Sequence, residues 1–391
     1  MQSIEGAAIR PGAVRPDCRG SAHGSAVRVR PAPLRVAIVG YGVVGPLHAL
    51  AYQTMTKTLP GLPRKPEVAL VVDPDAAARA RACTEWSVPS RPPGAHLWDE
   101  FAIDIVDCCA PSNLHASVCS GALSADRSVL CEKPLTGSGD TSAALVALAE
   151  TRRVTFGVNF NFRCIPALRE ARRLVRSGAL GEIRSLRVEY HRSSNLARHQ
   201  VGNPPVNVNR GALLDLGPHA IDMVHFLFGA ITGVSARTHF HDPCASTAAD
   251  DIAKMECVLD KGALGSVEVS KMTAGATNDL RVFAYGTEGA LRFTSVESDT
   301  LDLFQGAQYA TAHQRLRFGM GGLDEEIAVI PPETGSSVLT WHAASLAAFA
   351  RRVAGEDIPI ACARDGLGVD RVLDAARTSA ARSAVWVPVA A

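Results

Sequence analysis

The chain has 391 residues, too many for one ordinary domain and enough to bury two hydrophobic cores. Its 40 basic and 39 acidic residues leave a formal charge of +1, with no basic stripe interleaved with aromatics, which argues against nucleic acid as a partner. Hydrophobic residues make up 47%, yet no apolar run is long enough to cross a bilayer, so a soluble protein without membrane contact is expected.

Ten cysteines are scattered through apolar runs, among them Cys108, Cys109, Cys119, Cys131 and Cys257, with no CxxC pair and no Cys/His ligand spacing. Reduced, buried thiols in a cytoplasmic protein fit this pattern, and no metal site is expected.

Residues 1–33 are rich in Arg, Pro, Gly, Ser and Ala, lack apolar periodicity, and are read as a disordered extension. Arg35 to His48 then reads RVAIVGYGVVGPLH: a buried strand, a glycine turn and a helix. In Gly40-Tyr41-Gly42-Val43-Val44-Gly45, Gly40 permits the tight turn, Gly42 lets backbone approach a pyrophosphate, and Gly45 lets helix and strand pack closely. The diphosphate would rest on the free N–H groups of the helix N-terminus.

A proline-rich connector, Leu59 to Pro66, leads to the strand Glu67 to Asp73. An acidic side chain at the end of that strand accepts from both ribose hydroxyls of NAD and repels a 2′-phosphate, so Asp73 favours NAD over NADP. The structural alternative is a turn with a helix cap at Asp73-Pro74-Asp75. A helix from Ala76 to Cys83 precedes the apolar run Ile103 to Ala110, typical of a parallel strand buried on both faces. Ligands of a doubly wound sheet sit beyond the carboxyl ends of its strands, which directs Pro111, Asn113 and His115 to the cofactor crevice. His115 reads equally well as an ordinary residue at the start of the helix ending near Ala125.

The next strand, from Ser128, ends in Glu132-Lys133-Pro134 at the same crevice. There the Lys133 ammonium can hydrogen-bond a substrate hydroxyl and stabilise the alkoxide as hydride leaves; a surface lysine is the plain alternative. A helix from Thr141 to Thr151 and a strand from Val154 to Phe160 close the first domain.

The pattern then changes to segments that alternate apolar and polar: Ile183 to His191, Ile252 to Leu259, Leu264 to Lys271, Leu280 to Tyr285 and Ala290 to Phe293. Asp260-Lys-Gly262 and Gly286-Thr-Glu-Gly289 suit hairpins. An antiparallel sheet with one face on a helix and the other free for a partner subunit is expected, hence a homodimer or homotetramer. Within this region Pro218 opens a helix whose apolar face includes Ile221, Val224 and Phe228. His219, in its first turn, has the right unperturbed pKa to remove a hydroxyl proton, and Asp215 lies close enough to orient the ring or the substrate. An N-terminal cap with an incidental histidine is the competing explanation.

Gly40-x-Gly42-x-x-Gly45, Glu132-Lys133-Pro134 and Asp215-x-Gly217-x-His219-x-x-Asp222, in this order, resemble the glucose-fructose oxidoreductase and inositol dehydrogenase (Gfo/Idh/MocA) family from about Leu34 to the C-terminus. The resemblance implies an α/β protein: an N-terminal Rossmann domain (34–157), a substrate and oligomerisation domain with a large, mainly antiparallel open sheet (158–340), and C-terminal helices (341–391) that return to the first domain. It implies NAD(P)-dependent oxidation of a secondary alcohol on a sugar, sugar derivative or cyclitol. Lys133 would polarise the reacting oxygen, His219 act as acid/base and Asp215 position the substrate and the histidine. Asn159 and Arg163 match a segment that lines the same cleft. The loop Ser193 to Asn209 matches nothing that translates into a substrate; Arg192, Arg198, His199 and Arg210 are read as solvated, the alternative being a hold on a phosphate or carboxylate. Two rival functions are a redox-assisted glycosidase on the same fold and a catalytically silent cofactor-binding regulator. Retention of lysine, aspartate and histidine together argues against the second.

Overall fold

A computed structural model describes residues 32–58, 62–196, 211–241, 249–306, 312–319 and 335–390. The proposed N-terminal extension, except Ala32 and Pro33, lies outside these residues, as do Arg198, His199 and Arg210.

The first part of the chain alternates strand and helix: β1 (Leu34–Val39), α1 (Val44–Thr58), β2 (Pro66–Val72), α2 (Ala76–Trp86), β3 (Ser90–Arg91), α3 (Leu97–Glu100), β4 (Ile105–Cys108), α4 (Ser112–Ser124), β5 (Ser128–Cys131), α5 (Gly139–Arg152) and β6 (Phe156–Val158). All six strands pair in parallel, in the order β3-β2-β1-β4-β5-β6. Helices cover both faces, which is why β1 and β4 are mostly apolar and, Arg35 apart, buried, with Asp107 the one charged residue inside β4. The direction of winding reverses between β1 and β4, and the crevice beyond their carboxyl ends is where such a sheet binds ligands.

After a 3-10 turn (Asn161–Cys164) come α6 (Pro166–Arg176), β7 (Ile183–His191), α7 (Ala212–Asp215), α8 (Gly217–Phe228), β8 (Ile231–His239), β9 (Ile252–Leu259), β10 (Leu264–Ser270), β11 (Asp279–Gly286), β12 (Gly289–Thr294), β13 (Thr300–Gln305), β14 (Ala312–Arg317), α9 (Val338–Val353), α10 (Ala363–Ala381) and β15 (Val387–Pro388). Nine strands form a sheet in the order β14-β13-β12-β11-β7-β10-β9-β8-β15. Pairing is antiparallel except between β7 and β10. The two hairpins expected at Asp260–Gly262 and Gly286–Gly289 are present as β9–β10 and β11–β12.

Strands β8, β13 and β14 do not follow from the sequence pattern. Strand β13 carries Asp302 among its apolar residues; its carboxylate is nonetheless buried because Arg292 and Arg315, on the neighbouring strands, both donate to it. In β8 the alternation is interrupted at Gly233, where a side chain would collide with the Trp386 indole and the register with β9 shifts.

The C-terminal helix α10 is fastened to the first sheet's layer by Asp370, which is fully buried. Its carboxylate accepts from the N–H groups of Thr136 (2.9 Å) and Gly137 (3.0 Å) and from Ser142 Oγ (2.6 Å). An unpaired carboxylate there would be costly, so these bonds fix where the helix lies.

Candidate active site

The glycine turn is built as its sequence requires. Gly40 has φ +94°, and a side chain on it would collide with the backbone of Cys109 and Ala110. A Cβ on Gly45 would stand 2.1 Å from the Gly40 carbonyl oxygen, so the start of α1 packs directly on the turn. Space beside Gly42 is open, as a diphosphate needs. Gly40 and Gly42 wall a cavity of about 730 Å³ at the carboxyl ends of the first sheet, together with Val43, Val44, Asp73, Pro111, Glu132, Lys133, Arg192 and Asp215. Asp73 Oδ2 accepts from the Tyr41 N–H (2.7 Å) and Oδ1 from the Asp75 N–H (2.8 Å), which holds the carboxylate against the turn with lone pairs left over for a ribose.

Three residues directed to the cofactor by sequence are placed differently. The Tyr41 ring is buried, with its hydroxyl bonded to Glu85 and Trp86, so only its backbone belongs to the turn. His115 is fully buried, and its ring nitrogens lie against the carbonyls of Pro134 (2.8 Å) and Ala110 (2.9 Å). It ties the ends of β4 and β5 together and does not line the cavity. Asn113 is exposed and outside the cavity wall.

Lys133 and Asp215 come together from the two halves of the chain. The Lys133 Nζ donates to Asp215 Oδ1 (3.0 Å) and to its carbonyl oxygen (2.8 Å), and the Lys133–Pro134 peptide is cis. Asp215 does not cap α8; it ends α7, and its Oδ2 is 2.9 Å from the Nζ of Lys271, just after β10. Burial alone would raise the Asp215 carboxyl, but the two ammonium groups outweigh burial and hold it well below the usual carboxylate range. Lys271 was not legible as a site residue, because it closes an ordinary alternating strand.

His219 lies in the first turn of α8, stacked on Phe162 with ring centres 4.5 Å apart and edge-on to Tyr190. Burial, reinforced by the charge of Lys133, lowers it from the usual imidazole range to about 3. The ring is therefore neutral at physiological pH, and among the described residues its Nδ1 has no hydrogen-bond partner. A buried polar atom left unpaired in this way is costly and marks a position where a ligand can complete the bonding.

Asn159, Arg163 and His219 are not among the residues that line the cavity. Arg163 grips Asp222, its Nε donating to both carboxylate oxygens (3.1 and 3.0 Å), and its Nη2 also meets Asp365 at 3.2 Å. Asp222 is thus the strut for Arg163. Arg192, read as solvated, stands at the cavity edge. A larger cavity, about 1090 Å³, opens near the start of β6 among Arg153, Arg169, Arg172 and Arg176, and its lining contains none of the glycine turn, Lys133 or Asp215.

Residues 34–160 match the family model described as an oxidoreductase family with an NAD-binding Rossmann fold, and residues 168–292 match the Gfo/Idh/MocA C-terminal domain. The chain belongs to the Gfo/Idh/MocA family. As a Gfo/Idh/MocA protein it is an NAD-binding oxidoreductase. Levoglucosan dehydrogenase of Pseudarthrobacter phenanthrenivorans is 27% identical over 308 residues, covering 69% of this chain and 76% of that one. The NAD-dependent scyllo-inositol 2-dehydrogenase of Bacillus subtilis is 29% identical over 269 residues, covering 66% and 73%. Among solved structures, levoglucosan dehydrogenase in complex with NADH and levoglucosan superposes with a TM-score of 0.82 at 25% identity, over 92% of this chain and all of that one.

Proposed function

We propose that this Gfo/Idh/MocA enzyme reversibly oxidises a secondary alcohol of a sugar, sugar derivative or cyclitol. The observation that carries the reading is the 3.0 Å contact of Lys133, from the nucleotide half, with Asp215, from the other half, at the edge of the cavity behind the glycine turn. NAD, when bound, accepts the hydride. Lys133 polarises the reacting oxygen, and Asp215, shared with Lys271, aims that ammonium and accepts from a neighbouring substrate hydroxyl. The carbinol C–H and O–H bonds break and a C=O bond forms; His219, neutral and with a free ring nitrogen, takes the proton. The relatives named for levoglucosan and for inositol support a compact ring polyol as substrate.

In this reading residues 34–157 hold the cofactor, 158–340 supply substrate contacts, and 341–391 close back on the first part. The outer face of the nine-stranded sheet carries cross-linked charges such as Lys254–Glu268 and is proposed to pair copies of the chain. Light scattering that finds only monomer at micromolar concentration removes the pairing.

The activity is tested by following NADH absorbance with anhydrosugars, inositols, free hexoses, hexose phosphates and nucleotide sugars. Turnover of at least one ring polyol, lost in His219→Ala, is expected. An enzyme that binds NAD but oxidises none of them contradicts the reading.

A further inference from the structure

Beneath the cofactor cavity four buried side chains converge from four separate elements: His48 of α1, Glu132 after β5, Asn159 after β6, and His342 of α9. The Asn159 amide nitrogen lies 2.6 Å from Glu132 Oε1, 3.1 Å from His48 Nε2 and 2.9 Å from His342 Nδ1. His48 Nε2 is itself 3.0 Å from His342 Nδ1 and 3.3 Å from Glu132 Oε1.

Hydrogen atoms alone leave at least one of these contacts with two donors facing each other. The contact between the two imidazoles needs a hydrogen on one of the facing nitrogens, and that nitrogen then cannot accept from Asn159. The other ring nitrogen has one lone pair, which the first ring and the Asn159 amide would have to share. Buried polar groups are rarely left in this state.

Five of the six separations among these atoms are 2.6–3.3 Å, close to those of ligands around one small ion, and Glu132 and His342 offer ligand atoms within 4.8 Å of each other. Bonds of about 2.0 Å in a tetrahedron set neighbouring ligand atoms about 3.3 Å apart. We propose that His48 Nε2, His342 Nδ1, Glu132 Oε1 and the Asn159 carboxamide oxygen hold a divalent transition ion of the zinc class. The Asn159 amide is then turned over, so that its oxygen takes the position assigned to its nitrogen, an exchange that heavy-atom positions do not distinguish. Each of the four atoms now gives a lone pair to the ion. On the far side of the His48 ring, Nδ1 is 2.8 Å from Asp107 Oδ2, the carboxylate–histidine pairing that orients metal-bound imidazoles. The ion has a closed set of protein ligands and a structural role: it ties α9 to α1 and to the ends of β5 and β6. Its ligands lie between 27 and 294 residues apart, so no spacing motif reveals them.

The test uses the full-length chain, purified without a histidine tag from zinc-supplemented cells and analysed for metal by mass spectrometry. About one zinc ion per chain is expected, falling to less than about a tenth in His342→Ala. A variant that fails to fold would also lose zinc, so the wild-type chain is stripped with a chelator and titrated with Co²⁺. Intense visible bands of tetrahedral cobalt, saturating near one equivalent and removed by Zn²⁺, are expected. Zinc retained equally by His342→Ala assigns the ion elsewhere and overturns the proposal. So does the absence of both zinc and cobalt bands, which leaves a hydrogen-bonded network with a protonated imidazole.

Discussion

Arg163→Ala separates two roles for this residue, a contact to substrate and a strut inside the fold. The Arg163 and Asp222 side chains are 13% and 1% exposed, and the pair is bidentate. Removing one partner of such a pair leaves the other charge buried and costs about 3–5 kcal/mol, a third or more of the stability of many proteins. With an unfolding entropy of about 2 cal/mol/K per residue, that loss lowers the midpoint of thermal unfolding by about 4–7 °C. The assay is thermal unfolding followed by circular dichroism, run beside substrate KM measured well below the transition. The expected result is the fall in midpoint with KM unchanged, and recovery of most of the loss in Arg163→Met combined with Asp222→Leu. An unchanged midpoint with KM raised about tenfold or more refutes the strut and restores Arg163 as a substrate ligand.

The pH dependence follows from His219, whose pKa is lowered to about 3, so the base form persists through the mildly acidic range. The profile of kcat/KM should show no acidic limb centred near the ordinary imidazole value, and a limb there that disappears in His219→Gln would show that burial does not control the ring. Asp73→Asn keeps an acceptor for the Tyr41 N–H but loses the charge. NAD affinity, read by intrinsic tryptophan fluorescence, should weaken by about tenfold or more while NADP weakens less; equal effects on both would dissociate Asp73 from cofactor choice.

The Rossmann half was readable because its signals are local: an apolar strand, three glycines and a helix follow one another between Leu34 and Thr58, and Gly40 and Gly45 have the steric reasons expected of them. The meeting of Lys133 and Asp215 beside the cavity was readable for a related reason, since each sits at or just past the end of an element, whereas the His219 ring packs on Phe162 and Tyr190. What stayed hidden depends on pairings across long stretches of chain. Lys271 matters only because β10 ends beside α7, and Asp302 looks out of place in a strand until Arg292 and Arg315 are brought to it. His115 misleads because one of the carbonyls that hold it, that of Pro134, comes from the loop after β5, and Arg163 because its partner lies 59 residues on.

The most direct test of the proposed chemistry is a single-turnover measurement on Lys133→Met at saturating NAD and substrate, followed by NADH absorbance. The hydride-transfer rate should fall by about 10²- to 10³-fold, the usual loss for one group that stabilises a developing oxyanion, while NAD affinity stays within about twofold. A wild-type rate in that variant, with cofactor bound, contradicts the assignment of the Lys133 ammonium to the reacting oxygen.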